Sequence, residues 1–307
     1  MTLALLFPGQ GSQRVGMGRD LAQAFAVARQ TYEEADDVLG FSLSRLCFEG
    51  PEAELVLTKH TQPAILTTSI AVFRALSERG LTCDVVAGHS LGEWSALVAA
   101  GAIEFRDAVR LTHLRGTYMQ DAVPAGQGAM AAVMGLDQAA LEAVCARATQ
   151  PGEVVELANL NGASQIVISG NAPAVDRAIA EAKAAGAKRA TKLAVSAPFH
   201  CSLMKPAADL LAAALTEVAI TAPRVPVVSN VTAAPTRDPA QIRELLIRQV
   251  THAVRWEESI QTIAGLGITR ALELGAGSVL KGLVKRIAET IETTSIGEPA
   301  ELHAFTA

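Results

Sequence analysis

The chain of 307 residues is long enough to bury a substantial core, and its length corresponds to one large domain or to a large domain with a smaller companion. Hydrophobic residues make up 50% of the chain, yet no run reaches the ~18 uninterrupted apolar residues of a membrane span, so we expect no membrane partner. The formal net charge of −5 and the aromatic content of 4% argue against a nucleic-acid-binding surface.

The first predicted element is a buried strand at residues 3–7, which ends at a glycine-rich loop from Pro8 to Gln13. No Gly-Lys-Ser/Thr follows this loop, so a phosphate-binding role is disfavoured. The start of the chain lacks a basic segment and the 4 cysteines are widely spaced, so we expect a cytoplasmic protein with reduced thiols and no bound metal or cofactor. The next predicted elements are helix 20–39, helix 62–79 with Pro63 in its first turn, strand 81–87, helix 91–100 and helix 105–119.

A change of composition at residues 123–128 indicates a linker into a second unit. The order that follows is strand, helix, strand, strand, helix, strand, which is typical of a small ferredoxin-like module. We therefore predict an inserted domain at residues 125–196 and a larger domain made of residues 1–124 and 197–307. The predicted elements of the inserted domain are strand 129–135, helix 137–148, strand 153–160, strand 165–169, helix 172–185 and strand 188–195.

Beyond Pro198 helices and strands alternate again, which implies a mostly parallel sheet covered by helices on both faces. The predicted fold class is therefore α/β, with a large mostly parallel sheet and the smaller inserted module. We expect the tail beyond Glu298 to be loose. The predicted elements of this part are helix 203–216, strand 225–229, helix 239–249, helix 256–265, strand 270–274 and helix 278–290.

Residues 85–97 carry the strongest functional signal. A short apolar run ends in Gly-x-Ser-x-Gly at residues 88–92 and passes into a helical pattern, which is the context of a nucleophile elbow in an α/β-hydrolase-like domain. Ser90 is therefore the candidate nucleophile. Backbone N–H groups at the start of the following helix would face an oxyanion there. An ordinary turn with the same five-residue pattern is the alternative.

A serine nucleophile needs a base, and His200 is the best placed of the 6 histidines. It lies where the predicted inserted domain returns to the larger one, and domain junctions are preferred positions for pockets. We expect the side chain of His89 to point away from the side that Ser90 faces. A surface-loop histidine is an equally good interpretation of His200 from the residues alone, because no Asp or Glu beside it completes a triad.

Six short motifs occur along the chain: Phe-Pro-Gly-Gln-Gly-Ser-Gln at residues 7–13, Thr-Gln-Pro-Ala at 61–64, Gly-His-Ser-Leu-Gly-Glu at 88–93, Arg-Gly at 115–116, Gly-Ala-Met at 128–130 and Pro-Phe-His at 198–200. In these motifs and their order the chain resembles the malonyl-CoA:acyl-carrier-protein transacylases of bacterial fatty acid synthesis. The resemblance implies two partners, malonyl-CoA and an acyl carrier protein. It also implies a ping-pong transfer of malonyl to the phosphopantetheine thiol of the carrier.

The resemblance assigns roles to individual residues. Ser90 would form the malonyl ester, with His200 as its base. The backbone carbonyl of Gln249 would orient His200 in place of a carboxylate, which would account for the missing acid. The backbone N–H groups of Gln10 and Leu91 would form the oxyanion hole.

Substrate selection is implied by two further positions. Arg115 would pair with the free carboxylate of malonyl, since a guanidinium holds a planar carboxylate with two parallel hydrogen bonds. Phe199 stands where many bacterial members carry serine, and its bulk favours malonyl over methylmalonyl. Asn159 and Asn161 resemble asparagines that border the cleft in the family.

Other functions stay open at this point. The same chemistry would serve malonate decarboxylase or polyketide synthesis with another carrier. A serine hydrolase or thioesterase would pass the acyl group to water instead, and a noncatalytic binding subunit would need no chemistry. An acidic carrier would dock by charge, and the candidate basic residues are Lys188, Arg189, Lys192, Lys281, Lys285 and Arg286.

Overall fold

A computed structural model describes residues 2–162, 165–195 and 197–305, so Ser196, the last residue of the predicted inserted domain, lies outside the described part. In chain order the strands are β1 (Leu3–Phe7), β2 (Val85–Gly88), β3 (Gly128–Met134), β4 (Val155–Leu160), β5 (Gln165–Asn171), β6 (Arg189–Lys192), β7 (Val227–Val228), β8 (Pro235–Thr236), β9 (Arg270–Leu274) and β10 (Glu292–Ile296). The helices are α1 (Arg19–Ala24), α2 (Ala26–Leu39), α3 (Leu43–Glu49), α4 (Glu52–Leu55), α5 (Thr58–Ser77), α6 (Gly92–Ala99), α7 (Phe105–Asp121), α8 (Gln138–Ala148), α9 (Ala172–Ala184), α10 (Lys205–Leu215), α11 (Pro239–Gln249), α12 (Trp256–Gly265), α13 (Val279–Ile287) and α14 (Pro299–Ala304), with a 3₁₀ turn at Ser202–Met204.

The larger sheet has the order β10-β9-β1-β2-β7-β8 and is parallel except for the β7–β8 pair. Strand β1 lies inside it and is buried on both faces, because Leu5 and Phe7 pack into one apolar core while Ala4 and Leu6 pack into another. Burial on both faces explains why β1 is continuously apolar instead of alternating. Phe7 pairs with Gly88, so the loops that follow β1 and β2 lie side by side at the carboxyl edge.

The smaller sheet is antiparallel, with the order β4-β5-β3-β6. Residues of β3, β4 and β5 share an apolar core with helices α8 and α9. Strand β4 also runs beside Val254 in the segment before α12, whose N–H donates to the carbonyl of Ala158 at 2.8 Å and whose carbonyl accepts from Leu160 at 2.8 Å. This connection fixes one end of β4 next to the larger unit.

The mixed α/β class with a mostly parallel sheet is confirmed, while several element boundaries were wrong. The helix predicted at 20–39 is interrupted at Phe25, which is extended with φ −126°. Helix α5 begins at Thr58, so Pro63 lies in its interior rather than its first turn. Proline cannot donate to the carbonyl of Lys59 four residues earlier, and that carbonyl lies 2.9 Å from Nδ1 of His113 instead.

The prediction of a loose tail beyond Glu298 was also wrong. Helix α14 begins there with a capping box in which the Glu298 and Glu301 side chains bond each other's backbone N–H groups. Leu302 is fully buried by this helix. Strands β8 and β10 and helices α3 and α4 were not predicted, and within the described residues no helix is long and apolar enough to cross a membrane.

Candidate active site

The turn between β2 and α6 holds Ser90 in a left-handed conformation, with φ of 51°. Such a φ is uncommon for a residue other than glycine and is maintained only where its surroundings impose it. A Cβ atom at Gly88 would lie 1.9 Å from the carbonyl carbon of Gly92, and one at Gly92 would lie 2.0 Å from the carbonyl oxygen of Phe7. Both glycines are therefore required by the close approach of the backbone segments, as expected of a nucleophile elbow.

Ser90 and His200 meet across the site although they are far apart in the sequence. The Oγ of Ser90 lies 2.7 Å from Nε2 of His200, and Nδ1 of His200 lies 2.8 Å from the carbonyl oxygen of Gln249. Because a carbonyl oxygen only accepts, Nδ1 carries the proton and Nε2 presents its lone pair to the serine hydroxyl. The arrangement is that of a serine nucleophile with an oriented base.

The environment of His200 keeps its imidazole neutral. The residue is only 4% exposed. Burial and the nearby charge of Arg115 lower its pKa from 6.5 to about 3, because both disfavour a second positive charge. His200 is therefore ready to accept a proton throughout the neutral range. His89 lines the same pocket as Ser90, and its Nε2 lies 2.8 Å from Oδ1 of Asn161.

Arg115 on α7 points into the site and is 1% exposed. Its Nη1 donates to Oε1 of Gln62 at 2.7 Å, and its Nη2 lies 3.0 Å from Oε1 of Gln249 and 3.3 Å from Oγ of Ser90. Burial lowers its pKa to about 10, so the guanidinium is charged at neutral pH. Arg110 on the same helix differs, since it is partly exposed and forms an ion pair with Glu217.

Two backbone N–H groups beside Ser90 are available to an incoming oxyanion. Gln10 and Leu91 line the same pocket as Ser90. Within the described part of the chain, neither of their N–H groups donates to an acceptor. The N–H of Ser90 itself is occupied, because it donates to Oδ1 of Asn230 at 2.7 Å. Within the described residues the exposed side chain of Gln10 forms no hydrogen bond.

The pocket over Ser90 is a cavity of about 120 Å³. A second cavity of about 420 Å³ shares Gln10, His89 and Asn159 with it and extends along α13 to Arg286. Oδ1 of Asn159 is buried without a hydrogen-bond partner in the described residues. The apolar lining of the inner pocket comes from both units and consists of Leu91, Met119, Met130, Val167, Leu193, Val195 and Phe199.

Residues 4–302 match the family model of the acyl transferase domain. The chain is 50% identical over 297 residues to the malonyl CoA-acyl carrier protein transacylase of Bacillus subtilis strain 168, a match that covers 97% of this chain and 94% of that protein. It is 48% identical over 302 residues to the protein of that name from Escherichia coli K12, covering 98% of this chain and 97% of that one. The chain belongs to the malonyl CoA-acyl carrier protein transacylase family.

Solved structures of this transacylase family have the same fold. An acyl carrier protein S-malonyltransferase from Vibrio cholerae superposes with a TM-score of 0.97 at 49% identity, and the match covers 99% of both chains. A malonyl-transacylase solved in complex with its type II PKS acyl-carrier protein gives a TM-score of 0.96 at 48% identity, covering 99% of this chain and 98% of that one.

Sequence reasoning missed a group of buried polar side chains beneath the elbow of this transacylase-family chain. Glu93, Asn230 and the side chain of Gln249 hydrogen-bond one another and the backbone of the elbow. The only local signal was a glutamate in the first turn of an otherwise apolar helix. Its partners lie more than 130 positions away, so the sequence pattern does not identify them.

The six basic residues proposed for docking fall into two groups. Lys188, Arg189 and Lys192 lie at β6, where Lys192 forms an ion pair with Asp176 at 2.8 Å. Lys281, Lys285 and Arg286 are exposed on α13, beside the outer cavity. Arg286 donates from Nη2 to Oε1 of Gln165 at 3.2 Å, so it spans from the larger unit to the smaller one.

Proposed function

We propose that this protein transfers malonyl from malonyl-CoA to the phosphopantetheine thiol of an acyl carrier protein through a malonyl-Ser90 ester. One observation carries the proposal: Oγ of Ser90 lies 2.7 Å from the Nε2 of His200 and 3.3 Å from the Nη2 of Arg115. The nucleophile thus stands between a neutral base and a buried cation suited to a carboxylate.

In the first half-reaction Nε2 of His200 takes the Oγ proton while Oγ of Ser90 attacks the thioester carbonyl. The N–H groups of Gln10 and Leu91 receive the negative charge on the carbonyl oxygen, and preorganised donors of this kind supply a large part of the rate enhancement. Collapse of the intermediate breaks the C–S bond. His200 returns the proton to the departing thiolate of coenzyme A, which leaves malonyl-Ser90.

The second half-reaction runs the same steps with the carrier thiol as nucleophile. His200 takes the thiol proton, the sulfur attacks the ester carbonyl, and the same two N–H groups receive the oxyanion charge. The C–O bond then breaks and Oγ of Ser90 regains a proton from His200. The substrate and the malonyl-carrier are both thioesters, so the transfer needs no energy input beyond that of malonyl-CoA.

Arg115 selects the acyl group in this proposal. The malonyl carboxylate is one methylene away from the attacked carbonyl, so its partner must lie close to the nucleophile. A guanidinium with Nη2 3.3 Å from Oγ satisfies that requirement. Phe199, which lines the inner pocket, would crowd a branched α-carbon and so favours malonyl over methylmalonyl.

We also propose the finer description of the fold. An α/β-hydrolase-like domain of residues 1–124 and 197–307 is supported by the elbow at the carboxyl edge of a parallel sheet. A ferredoxin-like domain of residues 125–196 is supported by the strand order β4-β5-β3-β6 with helices α8 and α9. A cytoplasmic location is part of the same proposal.

The carrier distinguishes fatty acid synthesis, which we favour, from polyketide synthesis or malonate decarboxylation. The polyketide alternative is supported by the structural relative that was solved with a type II PKS carrier. A panel of carriers incubated with enzyme and malonyl-CoA, followed by intact mass measurement, would identify the preferred acceptor. Release of free malonate faster than malonyl-carrier formation would instead favour a hydrolase.

The covalent step has its own test. Malonyl-CoA without an acceptor should add one malonyl group, which peptide mass spectrometry should locate on Ser90. Ser90→Ala should remain unlabelled and inactive with its fold preserved. A label on Cys201 or another residue, or an active Ser90→Ala variant, would refute the mechanism.

A further inference from the structure

Glu93 is a buried carboxylate three positions after the nucleophile, in the first turn of α6. It is 3% exposed and does not line the pocket over Ser90. Its Oε2 accepts from Nε2 of Gln249 at 2.7 Å and from the backbone N–H of Asn230 at 3.0 Å. A carboxylate removed from water is costly unless such donors replace its hydration. Glu93 takes no part in the steps of the proposed transfer.

The first partner of Glu93 connects the three groups of the proposed mechanism. Gln249 contacts His200 through its backbone carbonyl, and its Oε1 accepts from Nη2 of Arg115 at 3.0 Å. Its Nε2, besides reaching Glu93, donates to the carbonyl of Ser90 at 3.0 Å. Rotation of the side-chain amide of Gln249 would disturb the cation and the nucleophile, and the backbone carbonyl of the same residue orients the base.

The second partner of Glu93 is Asn230, which hydrogen-bonds the backbone of the elbow. Asn230 accepts the N–H of Ser90 on Oδ1 at 2.7 Å and donates from Nδ2 to the carbonyl of Gly88 at 2.7 Å. These two bonds fix the backbone on both sides of His89 and help to maintain the left-handed φ of Ser90. The backbone N–H of Asn230 is in turn held by Glu93.

The ionisation of Glu93 depends on opposing influences. Burial is the largest influence and raises its pKa to about 7. Three hydrogen bonds and the charge of Arg115 act in the opposite direction and lower the pKa. The hydrogen bonds come from Asn230, Gln249 and the side chain of Ser229. Arg115 on α7 is the charged group that faces it, and His200 nearby is neutral in this pH range. Glu93 thus changes charge near neutral pH.

We propose that Glu93 is a positioning residue for acyl transfer, whose ionised carboxylate, acting through Gln249 and Asn230, keeps His200, Arg115 and Ser90 aligned. The inference rests on the proposed malonyl transfer, since it assigns a role within that site. Protonation weakens the acceptor that both N–H groups use and removes the charge opposite Arg115. Acylation therefore falls as the pH drops through the Glu93 titration.

The expected pH dependence of acylation differs from that of an ordinary Ser-His enzyme. There the loss of activity on acidification reports protonation of the catalytic histidine. Here the pKa of His200 is lowered to about 3, while that of Glu93 is raised to about 7. The fall in the acylation rate as the pH drops through neutrality, called here the acid limb, is therefore caused by protonation of a carboxyl group that does not touch the substrate.

The test is single-turnover acylation of the full-length protein by malonyl-CoA, without carrier, over a range of pH. Glu93→Gln should lower the acylation rate constant at high pH by about 10²-fold, the order expected when catalytic groups shift slightly. The apparent Kd for malonyl-CoA should change much less. The acid limb near neutrality should disappear, because the variant cannot titrate there.

Glu273→Gln is the matched control. Glu273 is fully buried and accepts from the backbone N–H groups of Leu280 at 2.9 Å and Lys281 at 3.0 Å at the start of α13, and it does not line the pocket over Ser90. Neutralising it removes an equally buried carboxylate with the same kind of partners. Its acylation rate and its acid limb should match those of the wild type.

A measurement on the wild-type protein keeps the proposal testable if Glu93→Gln does not fold. The pKa of a carboxyl group hardly changes with temperature, whereas that of an imidazole falls on warming. The acid limb should therefore stay at the same pH between low and high temperature. A limb that moves as an imidazole does would overturn the assignment to Glu93.

Failure of this inference is distinguishable from failure of the proposed function. If the wild type forms no malonyl-Ser90 ester, the function itself is wrong. If the wild type acylates and Glu93→Gln retains both the rate and the acid limb, the function stands and the positioning role is refuted. Loss of rate and limb in Glu93→Gln alone, with both retained in Glu273→Gln, supports the proposal.

Discussion

Nη2 of Arg115 lies 3.3 Å from Oγ of Ser90, so the cation and the nucleophile share one small space. The guanidinium is held there by Gln62 and Gln249, whose amide oxygens accept from its two terminal nitrogens. A cation this close to the nucleophile suits a carboxylate that lies one methylene from the attacked carbonyl, so the proposed selectivity depends on distance as well as on charge.

Arg115→Ala is expected to change selectivity more than activity. Malonyl would lose the partner of its carboxylate while acetyl would lose nothing, and truncating one member of a buried charge pair costs ~2–5 kcal/mol. The ratio of kcat/KM for malonyl-CoA over acetyl-CoA should therefore fall by at least tenfold, since about 1.4 kcal/mol corresponds to a factor of 10. Steady-state transfer of both acyl groups measures the ratio.

Arg110→Ala is the control for that experiment, because Arg110 is on the same helix but pairs with Glu217 at the surface. It should leave the ratio unchanged. Equal losses for malonyl and acetyl in Arg115→Ala would mean that the residue supports the structure of the site instead of selecting the substrate.

His200→Ala should lower the rate of Ser90 acylation by ~10²–10⁴-fold, the usual contribution of a positioned base. The fold should be preserved, which circular dichroism can check.

Gln10→Ala should have a much smaller effect, because the proposed donor is the backbone N–H and the side chain is exposed. Loss of equal size in both variants would indicate a direct role for the Gln10 side chain.

The elbow was predictable from the sequence, whereas most of its supports were not. The glycines at 88 and 92 are required by contacts between residues close in the chain or on the neighbouring strand, so their pattern is local and readable. The pairing of Ser90 with His200 joins residues 110 positions apart; the position of His200 at the predicted domain junction made it a candidate, and the family resemblance implied its role. Glu93 belongs to one of the motifs, but no role was predicted for it or for Asn230, since a buried carboxylate is recognised by its donors, which lie far away in the sequence.

The fold was predictable where elements are long and apolar. Strand β10 was missed because it is polar, with the sequence Glu-Thr-Thr-Ser-Ile, and lies at an edge of the sheet. Strand β8 has only 2 residues, one of them proline, which gives no periodicity to detect. The break at Phe25 was missed because its apolar flanks continue a helical pattern in the sequence.

Carrier docking is expected to depend on α13 rather than on β6. Lys281, Lys285 and Arg286 are exposed beside the outer cavity, while Lys192 is already paired with Asp176. Reversing the three α13 residues to Glu should raise the KM for an acidic carrier, and added salt should do the same, since the Debye length is ~8 Å at physiological ionic strength. Steady-state transfer to the carrier, with malonyl-CoA saturating, measures this KM.

Acylation of Ser90 by malonyl-CoA is the internal control for the charge reversal and should remain intact. Reversing Lys188 and Arg189 at β6 should have a smaller effect on the carrier KM. A carrier KM that is insensitive both to salt and to the α13 reversal would mean that docking depends on apolar contacts.

The buried carboxylate of Glu93 should cost stability at the pH where the proposed reaction needs it ionised. Its pKa is raised from 4.5 to about 7, so between these values the folded protein holds a proton that the unfolded chain has lost. By linkage, its contribution to the free energy of unfolding is fully present below the unfolded pKa and is lost as the pH rises through the folded one. A rise of this pKa from 4.5 to about 7 corresponds to about 3 kcal/mol.

Urea denaturation of the wild type and of Glu93→Gln at about pH 4 and about pH 8 tests this cost. The amide oxygen of glutamine can accept the same two N–H groups but does not titrate. The free energy of unfolding of the variant minus that of the wild type should therefore increase by about 3 kcal/mol from about pH 4 to about pH 8. The reason is that only the wild type has to bury a charged carboxylate at the higher pH. Parallel stability curves for the two proteins would show that Glu93 keeps an ordinary carboxyl pKa when folded, and the acid limb of acylation would then need another origin.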